Sequence, residues 1–486
     1  FYTGTGLGFS TSSAIYFAST TMPFATTSAD YYVNASTTIA KTYTENTYTA
    51  KQTFSDASTT NISSVYASST NAFFGNLSIG NGITLTANAS STNTFAGVVI
   101  GSGSLTKNGT ATLTLGGNNT YAGATTITAG MVATGGSAGR LGSTSGVDLS
   151  AGAVLQLNTS ETINLLTGGG SVVLNGTAVR LTTGTNNGDY VLGSVVSGTG
   201  TFTKTGTGSV TLAGTNTYTG DTTLTNGTIR LGSDDALGNA VSSYLLVTAG
   251  RLSSDGATSR SLGNNITMNG DLSLGSATNT GRVTLAGGIS LEGFNRTFTV
   301  DSVATISGIL ANGAITKAGA STLTLTAVNT YTGGTVLDGS NGHTGTIQLA
   351  NTAANGASIV ALPAGDLILN RATVQLAGSN QMAFSIVPQI NGGGVLDLGS
   401  YDQTLAGLVF NNNGSTVAPT VNLGAGLATY TGGTTTAVDA TITMASTAGL
   451  AAGMPITGTN IPAGTFIQQV VDGTTVILTQ NATGST

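Results

Sequence analysis

One sequence pattern occurs three times in this chain, and it constrains the fold more than any other feature of the sequence. The copies run over residues 103–123, 200–220 and 313–333. In every copy a lysine precedes a tyrosine by 14 positions, and the pairs are Lys107 and Tyr121, Lys204 and Tyr218, and Lys317 and Tyr331. The interval between the first two copies is shorter than the interval between the last two. The motif therefore keeps its internal register while the segments between copies vary, as in a solenoid that accepts insertions.

Inside each copy, aliphatic residues alternate with threonine. The aliphatic pairs are Leu113 and Leu115, Val210 and Leu212, and Leu323 and Leu325. This period of two indicates a strand with one buried face. The Asn-Thr-Tyr-x-Gly sequence that follows predicts a turn, because Asn and Gly tolerate positive φ. Further short strands are predicted at 126–127, 223–224 and 335–336, and then at 229–231 and 347–349.

Strands this short cannot fold alone, so they must stack coil on coil around a shared core. The sequence predicts an all-β protein, a right-handed parallel β-helix over residues 76–440, with repeats at about 99–134, 196–232 and 309–350. At roughly 20 to 25 residues per coil, about 15 coils would span roughly 70 Å. Residues 1–75, rich in aromatic residues, Ser and Thr, are predicted to be a non-helical arm or cap, and 441–486 a small β-module with a hairpin at Asp472-Gly473.

The composition supports this interpretation and excludes several classes of function. The chain has 72 glycines, 6 prolines, one His, no Cys, no Trp and only 7% charged residues, which is not the composition of a helix-rich enzyme. A net charge of −6 argues against a nucleic-acid partner, since nucleic-acid binding depends on clustered Lys and Arg. No apolar run reaches the length of a membrane-spanning helix, so we expect no direct membrane insertion of this segment.

Residues able to carry catalysis or bind a metal are sparse. The only adjacent acidic pair is Asp234-Asp235, in a sequence typical of a turn, and the single histidine, His343, lies in a Gly/Asn/Ser-rich insertion. We therefore expect no catalytic, cofactor-binding or metal site. The repeat lysines are interpreted as strand ends at the surface that repel edge pairing. The repeat tyrosines are predicted to pack at coil corners, and this interpretation is favoured over aromatic rings on which sugars stack.

The repeat also resembles a known family. Its Gly-x-Leu/Phe/Ile-Thr-Lys and Asn-Thr-Tyr-x-Gly sequences are similar to the passenger-associated, or autotransporter-associated, β-strand repeats of secreted bacterial surface proteins. Residues 293–300 and 395–408 are similar to the inter-repeat coils of the same passengers, so the resemblance covers about 98–440. It implies an extracellular location at the bacterial cell surface.

Two functions remain open at this level. The first is a non-enzymatic structural or adhesive β-helix, acting as a stalk or fibre subunit. It would associate with itself or bind a host or cell-surface glycan or protein receptor. The alternative is a carbohydrate-binding or depolymerising β-helix like that of a phage fibre. This alternative predicts a cleft in which several of Asp189, Asp221, Asp234, Asp235 and an arginine converge.

Overall fold

The structure is a computed structural model, and it describes residues 77–80, 84–87, 91–135, 141–142, 146–339, 344–352, 360–412, 415–423, 434–435, 440–444, 447, 450 and 452–484. The arm predicted at 1–75 and His343 lie outside the described residues. Within them, all regular secondary structure is β-strand.

The first thirty-eight described strands are short and build a parallel solenoid. They are β1 (Leu77–Ile79), β2 (Thr84–Ala87), β3 (Asn93–Phe95), β4 (Val99–Gly101), β5 (Ser104–Lys107), β6 (Thr112–Leu115), β7 (Thr125–Ile127), β8 (Met131–Thr134), β9 (Val147–Leu149), β10 (Val154–Leu157), β11 (Glu161–Ile163), β12 (Leu166–Gly168), β13 (Ser171–Leu174), β14 (Arg180–Thr183), β15 (Tyr190–Leu192), β16 (Val195–Gly198), β17 (Thr201–Lys204), β18 (Ser209–Leu212), β19 (Thr222–Leu224), β20 (Thr228–Leu231), β21 (Tyr244–Val247), β22 (Gly250–Ser254), β23 (Arg260–Leu262), β24 (Asn265–Met268), β25 (Leu272–Leu274), β26 (Val283–Leu285), β27 (Ile289–Val300), β28 (Ala304–Ile306), β29 (Leu310–Ala318), β30 (Leu323–Leu325), β31 (Thr335–Asp338), β32 (Thr346–Leu349), β33 (Leu367–Asn370), β34 (Thr373–Leu376), β35 (Pro388–Asn391), β36 (Val395–Asp397), β37 (Val409–Asn411) and β38 (Thr420–Asn422).

These strands stack into three faces, and every strand pair within a face is parallel. The first face stacks β2, β5, β7, β9, β12, β15, β18, β20, β22, β25, β27, β29, β31, β33, β35 and β37. The second face stacks β3, β6, β8, β10, β13 and β16, and further along β23, β26, β28, β30, β32, β34, β36 and β38. The third face holds β1 and β4, then β11, β14, β17, β19, β21, β24 and the first halves of β27 and β29.

Each coil passes once over all three faces. Lys107 and Lys317 both lie on the first face and are separated by ten ladder steps. A coil therefore takes about 21 residues on average, within the range of solenoid repeats. The solenoid has about 15 turns. At about 4.8 Å per strand spacing the stack is roughly 70 Å long. The predicted parallel β-helix is thus confirmed.

One continuous aliphatic core fills the solenoid, running from Ile79 to Leu396. Inward positions such as Leu155 and Leu174 are fully buried, whereas the residues that alternate with them point outward. The strands pair coil on coil, so neighbouring coils satisfy each other's backbone hydrogen bonds. The alternation that the sequence shows is therefore the division between core and surface.

The Asn-Thr-Tyr-x-Gly segment differs from its predicted form. In the first copy Thr120 N donates to Val99 O at 2.9 Å and Ala122 N to Gly101 O at 2.8 Å. No residue of this segment has a positive φ in any copy. The segment is therefore not a tight turn but one side of a coil, bonded to the coil before it. The predicted turn was wrong because it relied on the backbone freedom of Asn and Gly. The conformation of the segment is set by its side-chain contacts instead.

The C-terminal part forms a separate antiparallel sheet. Its strands are β39 (Thr434–Thr435), β40 (Thr441–Thr443), β41 (Ile467–Val470) and β42 (Thr475–Leu478), in the order β39-β40-β42-β41. The hairpin predicted at Asp472-Gly473 joins β41 to β42 and is confirmed.

In the part of the chain that the structure describes, no helix has the length and apolarity needed to cross a membrane.

Candidate functional site: the repeat clamps and the outer surface

The repeat lysines are enclosed in the solenoid, with 0%, 0% and 1% of Lys107, Lys204 and Lys317 exposed. Lys107 and Lys204 end their strands and Lys317 is the next-to-last residue of β29, and each Nζ donates to the carbonyls of the next two residues. These acceptors are Asn108 and Gly109 at 2.5 and 2.7 Å, Thr205 and Gly206, and Ala318 and Gly319 at 3.0 and 2.6 Å. In two copies a carbonyl of the next coil is a further acceptor, Ala129 O at 3.3 Å or Asn226 O at 3.5 Å.

A glycine two residues after each lysine permits this arrangement. Gly109, Gly206 and Gly319 have φ of 68°, 67° and 83°, a region that a Cβ disfavours. The expectation that the lysines stand at the surface and repel edge pairing was wrong. Lys107 and Lys204 do end their strands, and Lys317 lies one residue before the end of β29, but each ammonium is held by backbone carbonyls, which offset the cost of burying a charge.

Burial changes the titration of these lysines. Loss of solvation lowers the pKa of all three below the ordinary value of 10.5, and that of Lys317 to about 8. The Asp301 carboxylate opposes this shift at Lys317, and Asp189 opposes it at Lys204. In the described residues the ion pairs are all made by arginine, Arg230 with Asp189, Arg251 with Asp301 and Arg260 with Asp255.

The repeat tyrosines lie inside the coils, with 0%, 0% and 1% of Tyr121, Tyr218 and Tyr331 exposed. Each hydroxyl is hydrogen-bonded to the hydroxyl of the threonine four residues later, which begins the next strand. These contacts are Tyr121 to Thr125 at 2.5 Å, Tyr218 to Thr222 at 2.5 Å and Tyr331 to Thr335 at 2.7 Å. Burial raises the pKa of all three phenols. These rings cannot act as platforms for sugars, because no ligand outside the solenoid reaches them.

The sequence reasoning missed a third element of the motif, the asparagine two residues before each tyrosine. Asn119, Asn216 and Asn329 are nearly fully buried. Their Oδ1 atoms accept the backbone N–H of the preceding coil from Val99, Val196 and Leu310 at 2.7, 2.8 and 2.9 Å. In two copies Nδ2 also donates to the following coil, to Ala236 O at 2.6 Å or Ala361 O at 2.8 Å. The invariant spacing of Asn-Thr-Tyr in the three copies was the available signal.

We call this set of lysine, asparagine and tyrosine the repeat clamp. The first and third clamps place lysine on the first face and tyrosine on the third, whereas the second clamp begins one face earlier, with Lys204 on β17 of the third face. The same clamp contacts therefore form at different corners of the coil. Lys107 and Lys317 are ten ladder steps apart on the first face and Lys204 lies on the third face, so the lysines do not align into a basic ladder.

The acids proposed for the depolymerising alternative do not converge. Asp189 Oδ1 accepts the N–H of Ser209, and Asp234 Oδ1 that of Ser261, at 2.8 and 2.9 Å. Asp221 Oδ1 accepts the N–H that begins β21, at 2.9 Å. These acceptors serve three different faces, while Asp235 lies exposed in the turn after β20. The carboxylates of Asp189, Asp221 and Asp234 thus each bond to the first or second residue of a strand in the next coil. Among the described residues no group of three metal-ligating side chains occurs.

Polar side chains on the outer surface form rows that in places continue from coil to coil. On the second face, Thr324 Oγ1 lies 3.3 Å from Gln348 Oε1, Gln348 Nε2 donates to Gln375 Oε1 at 3.2 Å, and Gln375 Nε2 donates to Asp397 Oδ2 at 3.1 Å. The four residues stand at matching positions of β30, β32, β34 and β36. Their side chains form a ladder on the outside that mirrors the backbone ladder.

Comparison with known proteins agrees with this architecture. The family model of the passenger-associated-transport-repeat matches residues 105–133, 202–231 and 315–339, and each of these ranges contains one complete clamp. Among curated proteins, the chain is similar to the adhesin BmaC autotransporter of Brucella suis biovar 1 (strain 1330), with 36% identity over 130 residues. The match covers 26% of this chain and 4% of the adhesin. No solved structure matches the chain. The resemblance predicted from the motif is thereby confirmed, and this chain carries three passenger-associated transport repeats, as autotransporter passenger domains do.

Proposed function

We propose that this chain is a non-enzymatic segment of an extracellular bacterial surface protein, in which a β-solenoid stalk carries an adhesive outer surface. The observation that supports it most directly is the use of the repeat's polar side chains. Lysine, asparagine and tyrosine of each clamp are all engaged inside the solenoid, the asparagine with a neighbouring coil and the lysine and tyrosine with groups two and four residues later. Outward amide side chains such as Gln348 and Gln375 form a continuous polar row across coils, which suits contact with another surface.

The name of the relative supports the adhesive part of the proposal, since that protein is an adhesin. The test is to couple the whole chain to beads and count beads bound to epithelial cells and to bacterial cells. Beads carrying an unrelated β-rich protein of similar net charge are the control. Binding no greater than that of the control beads would contradict the adhesive function.

The non-enzymatic part needs its own experiment. The whole chain is incubated with acidic and neutral bacterial polysaccharides, and chain length is followed by size-exclusion chromatography. We expect no shortening, because Asp189, Asp221 and Asp234 are each engaged with a different strand. Depolymerisation that is lost in Asp189→Asn would establish the alternative function instead.

Self-association belongs to the same proposal and is supported by the last described coil. Phe410 of β37 stands in register with Ile390 of β35, yet Phe410 is 54% exposed while Ile390 is 0% exposed. A second copy that stacks there would cover this apolar position. Sedimentation velocity over a range of concentrations should show association that Phe410→Ser weakens. Phe466→Ser, at an exposed phenylalanine of the antiparallel sheet, should not weaken it. A monomer at all concentrations would contradict self-association.

A further inference from the structure

One corner of the solenoid presents an aromatic ring to solvent. Phe294 lies where β27 passes from the third face to the first, and 62% of it is exposed. Two other phenylalanines behave differently, since Phe298 of the same strand and Phe202 of β17 face inward and are fully buried. Phe294 is one of several large apolar side chains exposed on the described surface, and the residues beside it distinguish it from the others.

A cation accompanies this ring. The guanidinium carbon of Arg296 lies 4.8 Å from the centroid of the Phe294 ring. Nε of Arg296 donates to Leu291 O at 3.3 Å, which fixes the head group beside the ring. Arg230, Arg251 and Arg260 form ion pairs, but Arg296 has no carboxylate within ion-pair distance among the described residues. Its charge is therefore available to an anionic group, which arginine can bind through two parallel hydrogen bonds.

The residue between them is also held in place. Asn295 Nδ2 lies 3.1 Å from Thr316 Oγ1 of the next coil, and Asn295 Oδ1 lies 3.2 Å from the same hydroxyl. An amide group has two N–H donors and two lone pairs, so these contacts leave hydrogen-bonding capacity unused. Asn295 is exposed at this position.

The backbone of this corner is unusual on two successive coils. Glu292 and Asn312 have φ of 55° and 58°, and the register of β27 against β29 shifts between Ser290 and Phe294. Gly313 stands opposite Phe294, and a Cβ there would lie 2.3 Å from Phe294 O. Non-glycine residues in the left-handed region carry strain, and such strain concentrates at functional sites. The corner is built so that Phe294, Asn295 and Arg296 project from the coil.

We propose that Phe294, Asn295 and Arg296 form a binding site for an acidic sugar. The ring provides apolar contact for the C–H face of the sugar, the guanidinium pairs with its carboxylate, and the asparagine amide bonds a hydroxyl. This inference rests on the proposed adhesive function and names its ligand class. Host sialylated glycans and glycans with uronic acids share this chemistry, so the test includes both.

The test measures binding of 3′-sialyllactose, a hyaluronan tetrasaccharide and neutral lactose to the whole chain by isothermal titration calorimetry. We expect at least one acidic sugar to bind more tightly than lactose by about tenfold or more. Arg296→Gln should remove this preference, and Phe294→Ala should weaken binding of the acidic sugar by about tenfold. Phe384→Ala is the matched control, because Phe384 is 67% exposed and should leave binding unchanged.

Two results would overturn the site. One is an affinity of both acidic sugars no greater than that of lactose. The other is unchanged binding in both Phe294→Ala and Arg296→Gln. The bead assay separates this failure from failure of the adhesive function. If calorimetry gives either of these results while beads carrying the unchanged chain adhere, the adhesive function stands and the site is wrong. If the unchanged chain does not adhere, the adhesive function fails, and calorimetry decides the site on its own.

Discussion

Replacement of Asn216 by alanine tests how the clamp holds neighbouring coils together. Asn216 Oδ1 accepts the N–H of Val196 from the coil before, and Nδ2 donates to Ala236 O in the coil after, at 2.8 and 2.6 Å. Both contacts are buried, so alanine leaves one donor and one acceptor without partners. Each orphaned group costs about 1–3 kcal/mol, so the local loss is about 2–6 kcal/mol. The three coils should then open locally far more often.

Hydrogen–deuterium exchange with mass spectrometry measures this opening peptide by peptide. Since 1.4 kcal/mol corresponds to tenfold, exchange in peptides covering Val196 and Ala236 should accelerate between about 30-fold and 10⁴-fold. Peptides around Asn329 should be unaffected, because each coil contacts only its neighbours. Asn269→Ala, at an exposed turn, is the control and should change nothing. Unchanged protection around Val196 in the Asn216→Ala protein would refute the idea that this amide fastens the coils.

Three further predictions concern the repeats. Tyr218→Phe leaves a buried threonine hydroxyl without its partner, so thermal denaturation should show a loss of about 1–3 kcal/mol, and an unchanged midpoint would contradict it. Gly220→Ala places a Cβ 2.3 Å from Gly200 O and should cost more than about 1 kcal/mol in the same assay, whereas Gly256→Ala meets no atom within 4 Å and should stay within about 0.5 kcal/mol. Because the pKa of Lys317 is lowered to about 8, the unfolded chain binds more protons between pH 8 and 10, so the free energy of unfolding should rise with pH in that window. Above about pH 10 the free energy of unfolding should fall again, because burial raises the pKa of the repeat tyrosines. Urea denaturation at pH 7.5 and 9.5 measures the change, and Lys317→Met should show a smaller rise of the free energy of unfolding between these two pH values.

The fold was accessible from the sequence because it depends on local repetition. Alternation at Leu113 and Leu115 defines an inward and an outward side without knowledge of any distant residue. The invariant Lys-to-Tyr spacing marks a unit that must adopt one conformation in every copy. Stacking was then the only way for such short strands to bury their apolar sides. The number of coils followed from chain length divided by coil length.

The environment of the motif was not accessible in the same way. Lysine is the residue least expected inside a solenoid, and a strand-ending lysine ordinarily reaches solvent. Lys204 is buried because Gly206 brings two carbonyls to its ammonium and the next coil closes over it, an arrangement that needs coordinates from two coils. Asn216 was likewise missed, since its partners lie 20 residues before and 20 residues after it.

The sequence by itself determined the class of this protein, the length of its coils and the positions of its repeats, because these follow from a period of two within strands and a fixed spacing within the motif. Only the tertiary structure decided which side chains of the repeat are buried and which corner of the coil each copy occupies. It also showed that Phe294 faces solvent while Phe298, four residues later, lies in the core. The physical reason is that burial in a solenoid is set by the coils above and below a residue. Their register depends on segment lengths and backbone bends, such as the one at Glu292, that the local sequence pattern does not encode.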